Sequence, residues 1–69
     1  MKLSARNQLA GTVTNVTEGP ATAVVEIDVN GLHLVSSITA QAAEELGLSE
    51  GSEVTAIIKA SDVILATGS

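Results

Sequence analysis

No cysteine occurs in this chain, which excludes disulfide staples and thiolate metal sites, and its single histidine, His33, cannot form an imidazole cluster within one chain. Phenylalanine, tyrosine and tryptophan are also absent, so there is no platform on which a base or a flat heterocycle could stack. Positive charge is scarce: Lys2, Arg6 and Lys59 stand against eight acidic residues, giving a net charge of -5. Nucleic-acid affinity rests on neutralising many phosphates with cations, and this charge balance argues against it. No apolar run approaches the roughly 18 residues of a membrane span, and no signal-type or Arg-rich amphipathic stretch follows Met1. The expected location is therefore the cytoplasm, with no membrane partner.

What is present is small and aliphatic. Hydrophobic residues make up 45% of 69 positions, enough for one domain spanning residues 1–69 and no more. A chain of this size buries only about 60% of the surface its unfolded form exposes, so its own core is thin. Self-association is the expected supplement.

Alternation of period two marks the strands. It begins at Leu9 and continues through Gly11 and Val13, and Glu18-Gly19-Pro20 breaks it. Ala21, Ala23, Val25, Ile27 and Val29 then share one face, with Thr22, Val24, Glu26 and Asp28 on the other. Asn30-Gly31 favours a type I′ turn, which returns Leu32, Leu34, Ser36 and Ile38 as the second arm of a hairpin. The spacing predicts a helix over 40–46, capped by Thr39 and stopped by Gly47. Val54, Ala56 and Ile58 mark a fourth strand, Val63–Ala66 a fifth, and Thr67-Gly68-Ser69 a fraying tail. The expectation is an all-β fold with one short helix: a five-stranded Greek-key barrel of the oligonucleotide-binding (OB) type, in an oligomer. Such a fold does not fix function.

The chemistry lies in the few cations. Arg6 sits in Ser4-Ala5-Arg6-Asn7-Gln8, beside a hydroxyl and two amides, and its rigid fork of donors suits a tetrahedral oxyanion. Lys59, beyond the run Val54–Ile58, supplies the second charge that a dianion requires when it leaves water, or else its stem merely covers apolar surface. The start of the helix, from Thr39 to Ala42, offers N–H donors beyond its plain role as a cap. The Ser4 hydroxyl either closes a local turn or donates to a ligand. His33 reads as structural or surface, Glu44-Glu45 as solubilising, and no arrangement of nucleophile and base marks an enzyme.

Four separated motifs occur in order: Ser4-Ala5-Arg6-Asn7-Gln8, Ser37-Ile38-Thr39, Glu45-Leu46-Gly47-Leu48 with Glu50-Gly51, and Ala56-Ile57-Ile58-Lys59-Ala60. Over nearly its whole length the chain resembles the molbindins, single-domain molybdate-binding proteins of the Mop/TOBE type that are also called molybdenum-pterin-binding proteins. The resemblance implies a homohexamer, a trimer of dimers, with oxyanion sites between subunits. Carried onto this chain, the donors are Ser4, Ala5 through its backbone, Arg6, Thr39, Ala42 and Lys59. Where some relatives have serine, Ala42 can donate only through its main chain. A second class of site near the threefold axis is also implied, with the Glu18–Thr22 loop as a candidate. The implied ligand is molybdate, or tungstate, held for molybdenum storage and homeostasis. No pterin is expected, because nothing here stacks on one. A reading of another class is an oligomerisation or protein-interaction module without an oxyanion ligand, in which Arg6 and Lys59 pair with carboxylates across an interface.

Overall fold

Asn30 and Gly31 adopt φ of 50° and 87°, the left-handed pair that a type I′ turn demands, and the hairpin they close organises the rest of the chain. The computed structural model describes residues 4–68, so Lys2, the third cation, and Ser69, the end of the tail expected to fray, lie outside the described residues. Strand β1 spans Asn7–Glu18, β2 Thr22–Val29, β3 Leu32–Thr39 and β4 Glu53–Ile58, with helix α1 over Ala40–Leu46 and a 3-10 turn over Ala60–Asp62. All strand pairs are antiparallel, in the order β3-β2-β1-β4.

The face predicted for residues 21–29 is the core face. Ala23, Val25, Ile27 and Val29 are buried, and only Ala21, ahead of the strand, is exposed. Val13 of β1 joins them, and Val16, Leu34, Ile38, Leu48 and Val54 pack around this group. Helix α1 lies against β2 and β3 through the buried Ala43. Its ends follow the capping rules read from the sequence. The Thr39 hydroxyl accepts from the Ala42 N–H at 3.0 Å, and beyond the last turn Gly47 N–H donates to Glu44 O and Leu48 N–H to Ala43 O, a Schellman closure.

The first strand starts at Asn7, two residues before the expected Leu9, and ends at Glu18, where the Glu18-Gly19-Pro20 break was expected; a bulge between Val13 and Asn15 shifts its register and leaves both Asn15 and Val16 half-buried. One expectation is corrected. The five-stranded barrel is, among the described residues, a sheet of four strands: Val63–Ala66 forms no strand. The physical reason is the lack of a partner. Residues 63–65 pair with neither sheet edge, and Ile64 and Leu65 remain 93% and 88% exposed. The edge strands β3 and β4 share an apolar cleft of about 270 Å³, lined by Leu34, Ile38, Val54 and Ile58 among others, and are not hydrogen-bonded to each other.

Strand β1 is the hinge of the sheet. Its first half pairs with β4 and its second half with β2, and Thr12 belongs to both ladders, opposite Asp28 on one side and Glu53 on the other. Next to it, Gly11 allows β2 to approach. A Cβ there would meet Asp28 O at 2.8 Å and the Ile27 and Val29 methyl groups at 2.7 and 2.9 Å.

On the outer face one carboxylate ties three strands together. Asn15 Nδ2 donates to Glu26 Oε2 at 2.9 Å, and His33 Nε2 contacts Glu26 Oε1 at 2.8 Å. The Asn15 bond first, and the His33 contact second, hold the Glu26 carboxyl below its ordinary value of 4.5. A depressed carboxylate stabilises the fold above its unfolded pKa, and that contribution disappears as pH falls through the folded value. Thermal unfolding midpoints of wild type and Glu26→Gln should therefore converge on acidification from neutrality into the range of about pH 5 to 3. A constant gap across that range would contradict the tie.

Candidate oxyanion site

The sequence-predicted donors fall into two groups at opposite ends of β1. Ser4 and Arg6 are exposed and Ala5 is half-buried in the segment leading into the strand. The last rung of the β1–β4 ladder pairs Asn7 with Ile58, so Arg6 and the exposed Lys59, which immediately follows β4, each lie one residue beyond that rung. Neither residue belongs to a strand, and both are solvent-exposed just past the end of the ladder. Neither makes an ion pair among the described residues, where the single pair is His33–Glu26. Asn7 Nδ2 donates to Ile58 O at 3.2 Å, and Lys59 O accepts from Asp62 N–H at 2.9 Å.

The second group sits where β1 ends. Thr39 is opposite Thr22 at the end of the β2–β3 ladder, and Ala23 is opposite Glu18, the last residue of β1. The first turn of α1 is more committed than the sequence implied. The Ala42 N–H, expected as a main-chain donor, is occupied by the Thr39 hydroxyl, and the Ala40 N–H donates to Ala21 O at 2.9 Å. The Thr39 hydroxyl accepts that bond, and its own proton makes no hydrogen bond among the described residues. The Gln41 N–H has no partner among the described residues; it lies within the Thr39–Ala42 stretch read as offering donors, but capping rules do not say which amide the cap takes.

The sheet thus leaves Arg6 and Lys59 at one end of the β1–β4 ladder and sets Thr39 and Ala42 apart from them. Neither of the two main clefts is lined by these residues. One is the apolar cleft between β3 and β4, and the other, about 430 Å³, is lined by Thr12, Asp28, Asn30 and Glu53 and is acidic where an anion site must be basic. One chain presents Ser4, Arg6 and Lys59 on open surface at the same end of the β1–β4 ladder. A small dianion is the species that these groups suit chemically.

The model of the TOBE domain matches residues 3–65. The chain belongs to the TOBE domain family. Among its relatives is molybdenum-pterin-binding protein 1 of Clostridium pasteurianum, 44% identical over 66 residues that cover 94% of this chain and 97% of the relative. The molybdate-binding protein of Sporomusa ovata superposes with a TM-score of 0.93 at 36% identity, over 97% of this chain and 100% of its own. The cytoplasmic molybdate-binding protein ModG, solved with molybdate bound, superposes with a TM-score of 0.85 at 43% identity, over 87% of this chain and 43% of ModG. The resemblance to molbindins carried by the four motifs is therefore shown by sequence and fold together, and this TOBE domain spans almost the full length of its single-domain relatives.

Proposed function

We propose that this protein binds molybdate, and also tungstate, reversibly and without catalysis, as a cytoplasmic store of molybdenum, in sites completed between the subunits of a homohexamer. The observation that supports the reading is that Arg6 and Lys59 each lie one residue beyond the same terminal rung, Asn7–Ile58, with no carboxylate partner among the described residues. Two cations balance a dianion, and like charges at one end of a strand pair repel each other unless an anion lies between them. The names of the relatives point to molybdate as that anion. Ser4, the Ala5 backbone, Arg6 and Lys59 supply one part of the cage. Thr39 and the main chain around Ala42, from a neighbouring chain, supply the other, which accounts for their separation within one chain. Pterin has no part in this reading, since the chain has no aromatic ring to stack against it.

Association has its own support. The exposed stretch Val63-Ile64-Leu65 and the unpaired edges of β3 and β4 are complementary: apolar extended chain on one side, open backbone donors and acceptors on the other. The fifth strand expected over residues 63–66 then forms on a second copy. The same surface favours the reading as a pure interaction module, and ligand binding separates the two. Titration calorimetry of the assembled protein should show molybdate binding with micromolar Kd, equivalent to about -8 kcal/mol, and much weaker sulfate binding, because pocket size and fixed donors discriminate between tetrahedral dianions. Heat with neither anion, or equal affinity for both, rejects storage and leaves the interaction module.

A further inference from the structure

We infer that Asn7 is a positioning residue of the oxyanion site, whose side chain fixes Lys59 at its working distance from Arg6; this deepens the proposed function and rests on it.

The Asn7–Ile58 rung is the last of the β1–β4 ladder, and nothing paired lies beyond it on the side of the cations. Strand ends open most readily, and like charges facing each other across two strands push them apart. The carboxamide of Asn7 acts at that rung. Its Nδ2 donates at 3.2 Å to Ile58 O, bridging 51 residues of chain in a half-buried setting. The Ile58 carbonyl belongs to the same rigid peptide plane as the Lys59 nitrogen, so the bond restrains the plane that precedes Lys59. The plane that follows is restrained by Asp62 N–H donating to Lys59 O at 2.9 Å. Between two held planes, Lys59 takes φ -63° and ψ 140° and redirects the chain from β4 into the 3-10 turn. Its aliphatic stem leaves the backbone from this fixed corner.

The consequence is preorganisation. With the anion gone, repulsion between Arg6 and Lys59 favours splaying of the strand end, and the Asn7 bond opposes it. A site whose cations stay in place loses less freedom on binding than one that must reassemble them. Asn7 acts through Lys59, and its donor is committed to the protein rather than to the ligand.

A double-mutant cycle on the full, assembled protein tests this, with molybdate as the probe. Asn7→Ala should weaken molybdate binding about tenfold. In a Lys59→Ala background the same change should weaken it by less than about twofold, because the group being positioned is gone. A residue of merely structural importance would lower affinity equally in both backgrounds, and that result, or wild-type affinity in Asn7→Ala, overturns the inference. Asn7→Gln, which keeps the donor on a longer arm, should recover part of the loss. If Asn7→Ala does not assemble, the near-isosteric Asn7→Leu takes its place in the cycle. A wild-type protein that takes up no molybdate removes the site and the inference with it, whereas uptake by wild type and Asn7→Ala alike removes the inference alone.

Discussion

Arg6→Ala should lower molybdate affinity by roughly 100-fold while leaving the assembly intact. Two charge-assisted hydrogen bonds from one guanidinium fork contribute about 1.5 to 3 kcal/mol each against a buried anion, and about 1.4 kcal/mol is one decade in Kd. Lys59→Ala should cost less, about tenfold, because an ammonium acts as a point charge where the guanidinium also fixes geometry. Arg6→Lys should recover only part of the loss for the same reason. Calorimetry gives the affinities, and native mass spectrometry of the same samples gives the oligomer. The two readings of the chain diverge here. If Arg6 is an interface ion-pair partner, Arg6→Ala breaks the oligomer whether or not molybdate is added, and that outcome would falsify the oxyanion role. Arg6 makes no ion pair with any described residue of its own chain, so its removal exposes no orphaned carboxylate there.

The largest effect on folding should come from Gly11→Ala. The added methyl would sit 2.8 Å from Asp28 O, and at 2.7 and 2.9 Å from the Cγ2 atoms of Ile27 and Val29. Side-chain methyls can rotate away, but a backbone carbonyl in a ladder cannot, so β1 and β2 must separate where Thr12 pairs with both neighbours. Overpacking of this kind costs up to about 3 kcal/mol. For a domain of this size that lowers the unfolding midpoint by roughly 12 to 24 °C at fixed protein concentration. Because β1 links the β4 half of the sheet to the β2 half, the same shift would disturb the ladder at whose end Arg6 and Lys59 lie. An unchanged midpoint would mean that β2 approaches β1 less closely than described.

Local signals in the chain were reliable where the physics is local. Asn30-Gly31 required positive φ and has it, Thr39 and Gly47 bounded the helix as their chemistry predicts, and the alternation from Ala23 to Val29 became the buried face. The legibility ended where a residue's state depends on a distant partner. Val63–Ala66 carries strand-forming residues but finds no edge within its own chain. The bulge at Thr14 adjusts β1 to β2, and nothing in the local alternation announces it. Of the candidate site, the sequence offered the residue types and motifs, while the position of Arg6 and Lys59 at one end of the β1–β4 ladder followed only from the strand pairing. The commitment of the Ala42 amide and the Asn7 side chain could not be inferred from sequence, because both depend on atomic geometry that spacing does not encode.

If the two donor groups, at opposite ends of β1, close on the anion only from different subunits, as proposed, its capture would depend on how many copies of the polypeptide are available. Dilution that disperses the subunits should release cargo even at constant free molybdate, and abundant molybdate should hold sparse subunits together. The cell would then adjust its reserve through synthesis of the carrier as much as through import of the metal.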